Sequence, residues 1–192
     1  MLEKIKTLLL KDWFAIGGAL VAFVTLFLLF GTGITSQYQG EYVKITPAYA
    51  FVFGGTFRLT RVVNNVVINV EGALYRVTTT ALAAWILMFL AFIGSIVALV
   101  SIYAKKKNWG KFILAGCSVF LVVSAVLLFV STDGAFQSVV SDDPSTYGVE
   151  LMHESIELYH FKLGFGFIGT GVFAIISGLL FGASAALSLK KN

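Results

Sequence analysis

The chain has 192 residues, of which 58% are hydrophobic and only 12% are charged. Soluble domains carry about 25% charged residues, so this composition excludes an ordinary water-soluble protein and predicts an all-α membrane protein. The net charge of +4 comes from lysines in a few short segments. It therefore indicates membrane orientation and affinity for anionic headgroups rather than a nucleic-acid partner.

Four long stretches contain no Asp, Glu, Lys or Arg, and each is long enough for the roughly 20 residues of helix that a bilayer core requires. We predict a single domain that is a four-transmembrane-helix bundle. The predicted spans are 13–34, 81–104, 112–132 and 163–189. The connecting segments are an N-terminal tail 1–12, a first outer loop 35–80, a turn 105–111, a second outer loop 133–162 and a C-terminal tail 190–192.

Lysine placement predicts the orientation of the spans. Nine of the 14 basic residues lie in the two tails and the 105–111 turn. The other five lie in or beside the two outer loops. Because short cytoplasmic segments carry the excess of Lys and Arg, both termini are expected in the cytoplasm of a cell whose plasma membrane holds the protein.

The first outer loop has the pattern of β-strands. The stretch "FRLTRVVNNVVINVEGALYR" contains two β-branched runs, 57–63 and 66–71, on either side of Asn64-Asn65. Asparagine tolerates positive φ, so this pair favours a hairpin turn. With 41–45 as a third strand, the loop predicts a small extracellular antiparallel β-sheet. Arg76, after the second run, is expected to be an interfacial anchor at the start of the second span.

The second outer loop contains "ELMHESIELYH", residues 150–160. At 100° per residue its carboxylates and both histidines cluster on one side of a helix, which predicts an amphipathic, interfacial helix at about 147–161. The alternative is a divalent metal site, in which His153 and Glu157 chelate one ion and Glu150 or His160 adds a ligand. We expect the amphipathic helix, without a cofactor.

Small residues in the first and fourth spans predict close helix packing. The motif "GFGFIG" lies inside a predicted span and is read as packing rather than nucleotide binding. Whether the packed neighbour belongs to this chain or to a partner is left open by the sequence. The predicted packing residues are Gly17, Gly18, Gly164, Gly166, Gly169, Gly171, Gly178 and Gly182.

The overall layout resembles that of the claudin-like tetraspan membrane proteins. The resemblance covers the β-rich first outer loop, the tight inner turn, Arg76 at the start of the second span and "ELYHF" before the fourth. The Trp, Gly-Leu-Trp and cysteine pair of the claudin first loop are missing here, so the resemblance is one of layout. It implies lateral assembly or outward-facing contact.

These patterns favour a non-catalytic membrane protein whose partners are membrane lipids and other membrane protein subunits or further copies of itself. The first alternative is a small oligomeric channel or carrier. The predicted spans contain no Asp, Glu, Lys, Arg or His, which disfavours it because coupled transport depends on buried charged groups. The second alternative is a metal-binding membrane enzyme that uses the 150–160 cluster.

Overall fold

The computed structural model describes residues 10–38, 41–63, 66–75, 77–103, 109–140 and 159–189. They form five helices and five strands. In chain order these are α1 (Leu10–Leu28), β1 (Thr32–Tyr38), β2 (Glu41–Pro47), α2 (Tyr49–Phe53), β3 (Gly55–Val63), β4 (Val66–Tyr75), α3 (Thr79–Tyr103), α4 (Gly110–Val140), β5 (Tyr159–Leu163) and α5 (Phe165–Leu189).

Four of these helices, α1, α3, α4 and α5, are long and apolar enough to cross a membrane; in α4 the qualifying part is Gly110–Ser131. Between 22% and 33% of the residues in their most apolar windows are buried inside the protein. The outward surface is itself apolar, with exposed residues such as Leu20, Val126 and Leu179. A large exposed apolar surface of this kind is stable against lipid rather than water, so the chain is a multi-pass membrane protein in contact with lipid.

The four long helices form an antiparallel bundle. Helix α5 contacts both α1 and α4, α4 contacts α3, and α1 and α3 share a smaller contact. The Ser177 hydroxyl donates a hydrogen bond to the Gly18 carbonyl, and the Ser184 hydroxyl donates one to the Lys11 carbonyl. Residue numbers rise along α5 as they fall along α1, so the two helices are antiparallel. At one end of the bundle the Tyr103 hydroxyl donates a hydrogen bond to Asp12. The strands and α2 lie at the other end, where α1 ends and α3 and α5 begin.

The strands form two antiparallel sheets. One has the order β2-β1-β5 and the other is the β3-β4 hairpin. In the hairpin Val63 pairs with Val66, so the predicted segments 57–63 and 66–71 lie within β3 and β4. The predicted third strand, 41–45, lies in β2, but β2 pairs with β1 rather than with the hairpin. The first outer loop therefore contributes to two sheets instead of one.

Several predicted helix boundaries are wrong, and one of them is the end of the third predicted span, since α4 continues to Val140 instead of ending at residue 132. The first span was predicted to reach residue 34, yet α1 ends at Leu28 and Thr32 begins β1. The glycines and β-branched residues of "GTGIT" are poor helix formers, and β1 finds partners on both sides. The helix predicted at 147–161 is wrong over residues 159–161, which belong to β5. Residues 147–158 lie outside the described part of the chain.

The antiparallel bundle places the end of α3 and the start of α4 at the opposite end from Gly55 and Tyr75, where β3 begins and β4 ends. In a Cys117→Ser background, cysteines at Lys106 and Asn64 are therefore expected to be labelled from opposite sides of the membrane. The measurement is labelling of intact cells with an impermeant maleimide, before and after permeabilisation. Equal labelling of both positions in intact cells would contradict this topology.

Candidate functional site

The junction between α5 and β1 is built from glycines in close contact. The Gly164 amide donates a 2.7 Å hydrogen bond to the Gly33 carbonyl. A Cβ on Gly164 would collide with the Thr32 carbonyl, and one on Gly166 would lie 2.7 Å from the Gly31 oxygen. Only residues without a side chain permit this approach. The start of α5 is thereby held against the end of α1 and the first strand.

Helix α2 closes the same end of the bundle. The Ala48 and Tyr49 amides donate to the carbonyls of Gly31 and Leu29, at 3.0 and 2.8 Å. The Thr78 amide donates to the Phe51 carbonyl at 2.8 Å, which joins α2 to the start of α3. These bonds satisfy backbone groups at both ends of a helix only five residues long, as buried helix ends require.

The aromatic side chains of α2 contact three different parts of the bundle. The Tyr49 ring lies 5.6 Å from Phe30, and the Phe53 ring lies 4.9 Å from Trp85. Phe51 is fully buried, with its ring 5.6 Å from Phe167 of α5. Aromatic pairs at these distances add about 0.5–1.5 kcal/mol each beyond burial. The stretch "AYAFVF" gave no sequence signal for this role, because its alternating aromatics also fit an interfacial segment.

Helix α5 packs against α1 through small residues and serines. A Cβ on Gly18 would lie 2.7 Å from the Phe181 ring, whereas one on Gly17 would lie 3.9 Å from Leu180. The Ser177 hydroxyl donates to the Gly18 carbonyl and that of Ser184 donates to the Lys11 carbonyl, both at 2.7 Å. Such bonds contribute about 0.6 kcal/mol on average between membrane helices.

The other side of α5 packs against α4 in the same way. Ser118 donates a 2.7 Å hydrogen bond to the Gly178 carbonyl, and a Cβ on Gly182 would lie 3.1 Å from the Ser118 oxygen. Gly171 faces the Phe129 ring, and the three atoms nearest a Cβ on Gly169 all belong to Phe165 of its own helix. Apart from Gly169, the predicted packing glycines thus contact other elements of the same chain. The serines between them were missed, although Ser177 and Ser184 each lie within one turn of a packing glycine in sequence; Ser118 of α4 has no packing glycine near it in sequence.

The β3–β4 hairpin presents a different kind of surface. Its strands have nine and ten residues. Among the described residues neither strand pairs with any other, and their principal contacts are with each other. The three-stranded sheet, in contrast, contacts α5 through β1 and α2 through β2. The hairpin is therefore the part of the described fold with the least internal support.

Of the four proposed metal ligands, the structure describes only His160. His160 lies in β5, where its register partner is Gln37 of β1. A ligand set on one continuous helix that includes His160 is therefore wrong. Glu150, His153, Glu157 and the interfacial Arg76 lie outside the described residues. Within the described ranges, no three His, Cys, Asp or Glu side chains form a group that could hold a metal.

One ionisable pair lies in the first turn of α1. The predicted span began at residue 13, but α1 begins at Leu10 and includes Lys11 and Asp12. The Asp12 carboxylate is near the helix N-terminus, where the backbone dipole favours negative charge, and it accepts a hydrogen bond from Tyr103. The hydrogen bond between Tyr103 and Asp12 joins α3 to α1 at the end of the bundle opposite the strands.

Comparison of the chain with protein-family models, with curated proteins and with solved structures finds no match.

The adjacent glycines of α1 provide a matched test of the packing. Gly18→Ala is expected to destabilise the bundle by about 1–3 kcal/mol, because the new methyl group overlaps the buried Phe181 ring. Gly17→Ala is expected to leave stability unchanged or slightly raised, since its methyl group meets ordinary contact distances. The measurement is unfolding of purified protein by SDS titration, followed by circular dichroism. Equal effects of the two substitutions would contradict the described interface.

The glycine junction predicts a local effect on the strands. Gly164→Ala is expected to raise hydrogen–deuterium exchange in β1 and β5 about tenfold, because the collision with the Thr32 backbone separates α5 from β1. Gly116→Ala is the control, since nothing lies within 4 Å of a Cβ at that position. Unchanged exchange in the Gly164 variant would show that the junction does not hold the strands.

Proposed function

We propose that this protein is a non-catalytic plasma-membrane protein that assembles laterally with other membrane protein subunits or with copies of itself, through its outer strands. The observation that carries the proposal is the β3–β4 hairpin, whose strands pair only with each other among the described residues. A two-stranded hairpin is marginally stable in water, and unpaired strand edges are templates for another chain.

The interior of the bundle supports a scaffolding role for the helices. Its buried serines and threonines donate to backbone carbonyls, as Ser124 does to Leu121 and Thr170 does to Gly166. Every buried side-chain nitrogen or oxygen in the described residues has a hydrogen-bond partner. The Ser124 and Thr170 bonds stay within one helix, whereas the Ser177 and Ser184 hydroxyls bond carbonyls of α1 and so join two helices. The polar groups inside the bundle are thus satisfied by the chain's own backbone, and the proposal gives them no part in transport.

The glycine-rich helix faces contact neighbours within the chain, so we place the assembly surface on the strands. The lysine distribution favours a cytoplasmic location for both termini, and with that orientation the strands, at the opposite end from the α3–α4 turn, face outward. The layout resembling claudin-like tetraspan proteins agrees with an outward β layer that makes protein contacts. No cofactor or metal enters this proposal.

Assembly can be tested with a variant that lacks only the hairpin. Gly55 and Tyr75 are register partners, so a two-residue turn can replace residues 56–74 without moving the ends of α2 and α3. The wild type is expected to run as a complex after crosslinking in native membranes and mild-detergent extraction. The variant is expected to insert normally and run as a monomer, because its pairing edge is gone.

Gly116→Ala, at a position with open space around it, serves as the control and should associate as the wild type does. Mass spectrometry of the complex distinguishes self-association from a second subunit. A wild-type protein that is monomeric both in the membrane and in mild detergent would overturn the proposed function. If the variant without the hairpin associates as well as the wild type does, the hairpin strands are not the assembly surface.

A further inference from the structure

The two edges of the β3–β4 hairpin differ in charge. Strand β3 contains Arg58 and Arg61, whereas β4 contains a single charged residue, Glu71. Charged residues on an edge strand oppose pairing with another chain, and β-branched uncharged runs favour it. The run "VVINV" at the start of β4 is uncharged and rich in β-branched residues, so it favours pairing. Strand β4 is therefore the edge suited to pairing, and β3 is the protected one.

The register of the hairpin limits the regular part of β4. Phe57 pairs with Ala73 and Arg58 pairs with Glu71, so Gly72 is an extra residue in β4. An extra residue of this kind is a β-bulge, which bends the strand and interrupts regular pairing. The regular segment of β4 thus runs from Val66 to Glu71, and its uncharged part is centred on Ile68.

We propose that the β4 edge binds the β4 edge of a second copy of this chain, antiparallel and with the two-fold axis at Ile68. The inference rests on the proposed function and names the partner. Val66 then lies opposite Val70 of the second copy, and Val67 opposite its Asn69, so no charge faces a like charge over these five residues. A closed two-fold contact uses the same surface on both copies and yields a four-stranded sheet with the order β3-β4-β4-β3.

The two-fold contact places both helix bundles in one membrane when the hairpin strands run along the membrane plane, and the proposal includes this orientation. The hairpin is joined to its bundle at Gly55 and Tyr75, and Tyr75 is seven residues from Ile68. At about 3.4 Å per residue, each attachment point is roughly 24 Å from the axis. Since the strands are antiparallel, the two attachment points lie on opposite sides, about 48 Å apart. Two bundles, each about 20 Å wide for helices 10 Å apart, fit at this separation.

Disulfide trapping tests the two-fold axis directly. In a Cys117→Ser background, Ile68→Cys is expected to form a covalent dimer in native membranes under mild oxidation. Directly opposed residues of antiparallel strands have Cα atoms about 4.5–5.5 Å apart, within disulfide range. Arg61→Cys is the matched control, because Arg61 is the register partner of Ile68 on the other strand. Its two copies would be three strand spacings apart, about 14 Å, beyond disulfide reach.

A charge test complements the trapping experiment. Ile68→Lys places two like charges opposite each other and is expected to reduce crosslinked dimer about tenfold. Leu59→Lys, on the β3 edge, is expected to leave dimer unchanged. Both variants are first checked for membrane insertion and for a monodisperse profile in detergent, so that loss of dimer is not loss of folding.

The outcomes separate this inference from the proposed function. Dimer from Ile68→Cys and none from Arg61→Cys supports the two-fold β4 contact. A complex that persists in the membrane without an Ile68 crosslink, or that Leu59→Lys weakens as much as Ile68→Lys does, overturns the inference and leaves the proposed function standing. A chain that is monomeric in native membranes overturns both.

Discussion

The contact between the start of α5 and the turn after α1 connects the two parts of this protein. A backbone hydrogen bond from Gly164 to Gly33 joins α5 to β1, and the absence of side chains at Gly164 and Gly166 allows the backbones to approach. Backbone groups near the hydrocarbon region must be bonded within the protein. Here the backbone groups of α2, of β1 and of the neighbouring helix ends form hydrogen bonds with one another. The three-stranded sheet therefore begins where the bundle ends.

Helix α5 has the same organising role inside the bundle. It contacts α1 on one side and α4 on the other, and on both sides the contact is made by small residues and by serine hydroxyls bonded to backbone carbonyls. Lipid tails are as apolar as leucine, so helix association in a membrane depends on close packing and hydrogen bonds rather than on the hydrophobic effect. Because the glycine faces are engaged within the chain, we propose the strands, rather than the helices, as the surface for contact with another protein.

The parts of the fold that could be predicted are those with a local signal. Charge-free stretches of membrane length indicated four helices, and the β-branched runs around Asn64-Asn65 indicated the positions of β3 and β4. Pairing of β1 with β5 has no local signal, because Gln37 and His160 are far apart in sequence. The stretch "ELYHFKL" fits both a helical and an alternating pattern. It is a strand from Tyr159 because it pairs with the edge of β1 that β2 leaves open. The candidate glycines were identified, but the sequence could not say that their neighbours are Phe181 and Ser118.

Coverage of the β3–β4 hairpin by another chain in the membrane, as proposed, protects the amides on its pairing edge from exchange. The most direct measurement is hydrogen–deuterium exchange of the β4 amides in lipid nanodiscs loaded with one chain, compared with native membrane fragments at cellular protein density. We expect slower exchange over Val66–Val70 in the native fragments, since pairing of the β4 edge protects its outward amides, and equal exchange in α5 in both preparations. Equal exchange over Val66–Val70 in the two preparations would contradict the proposed coverage.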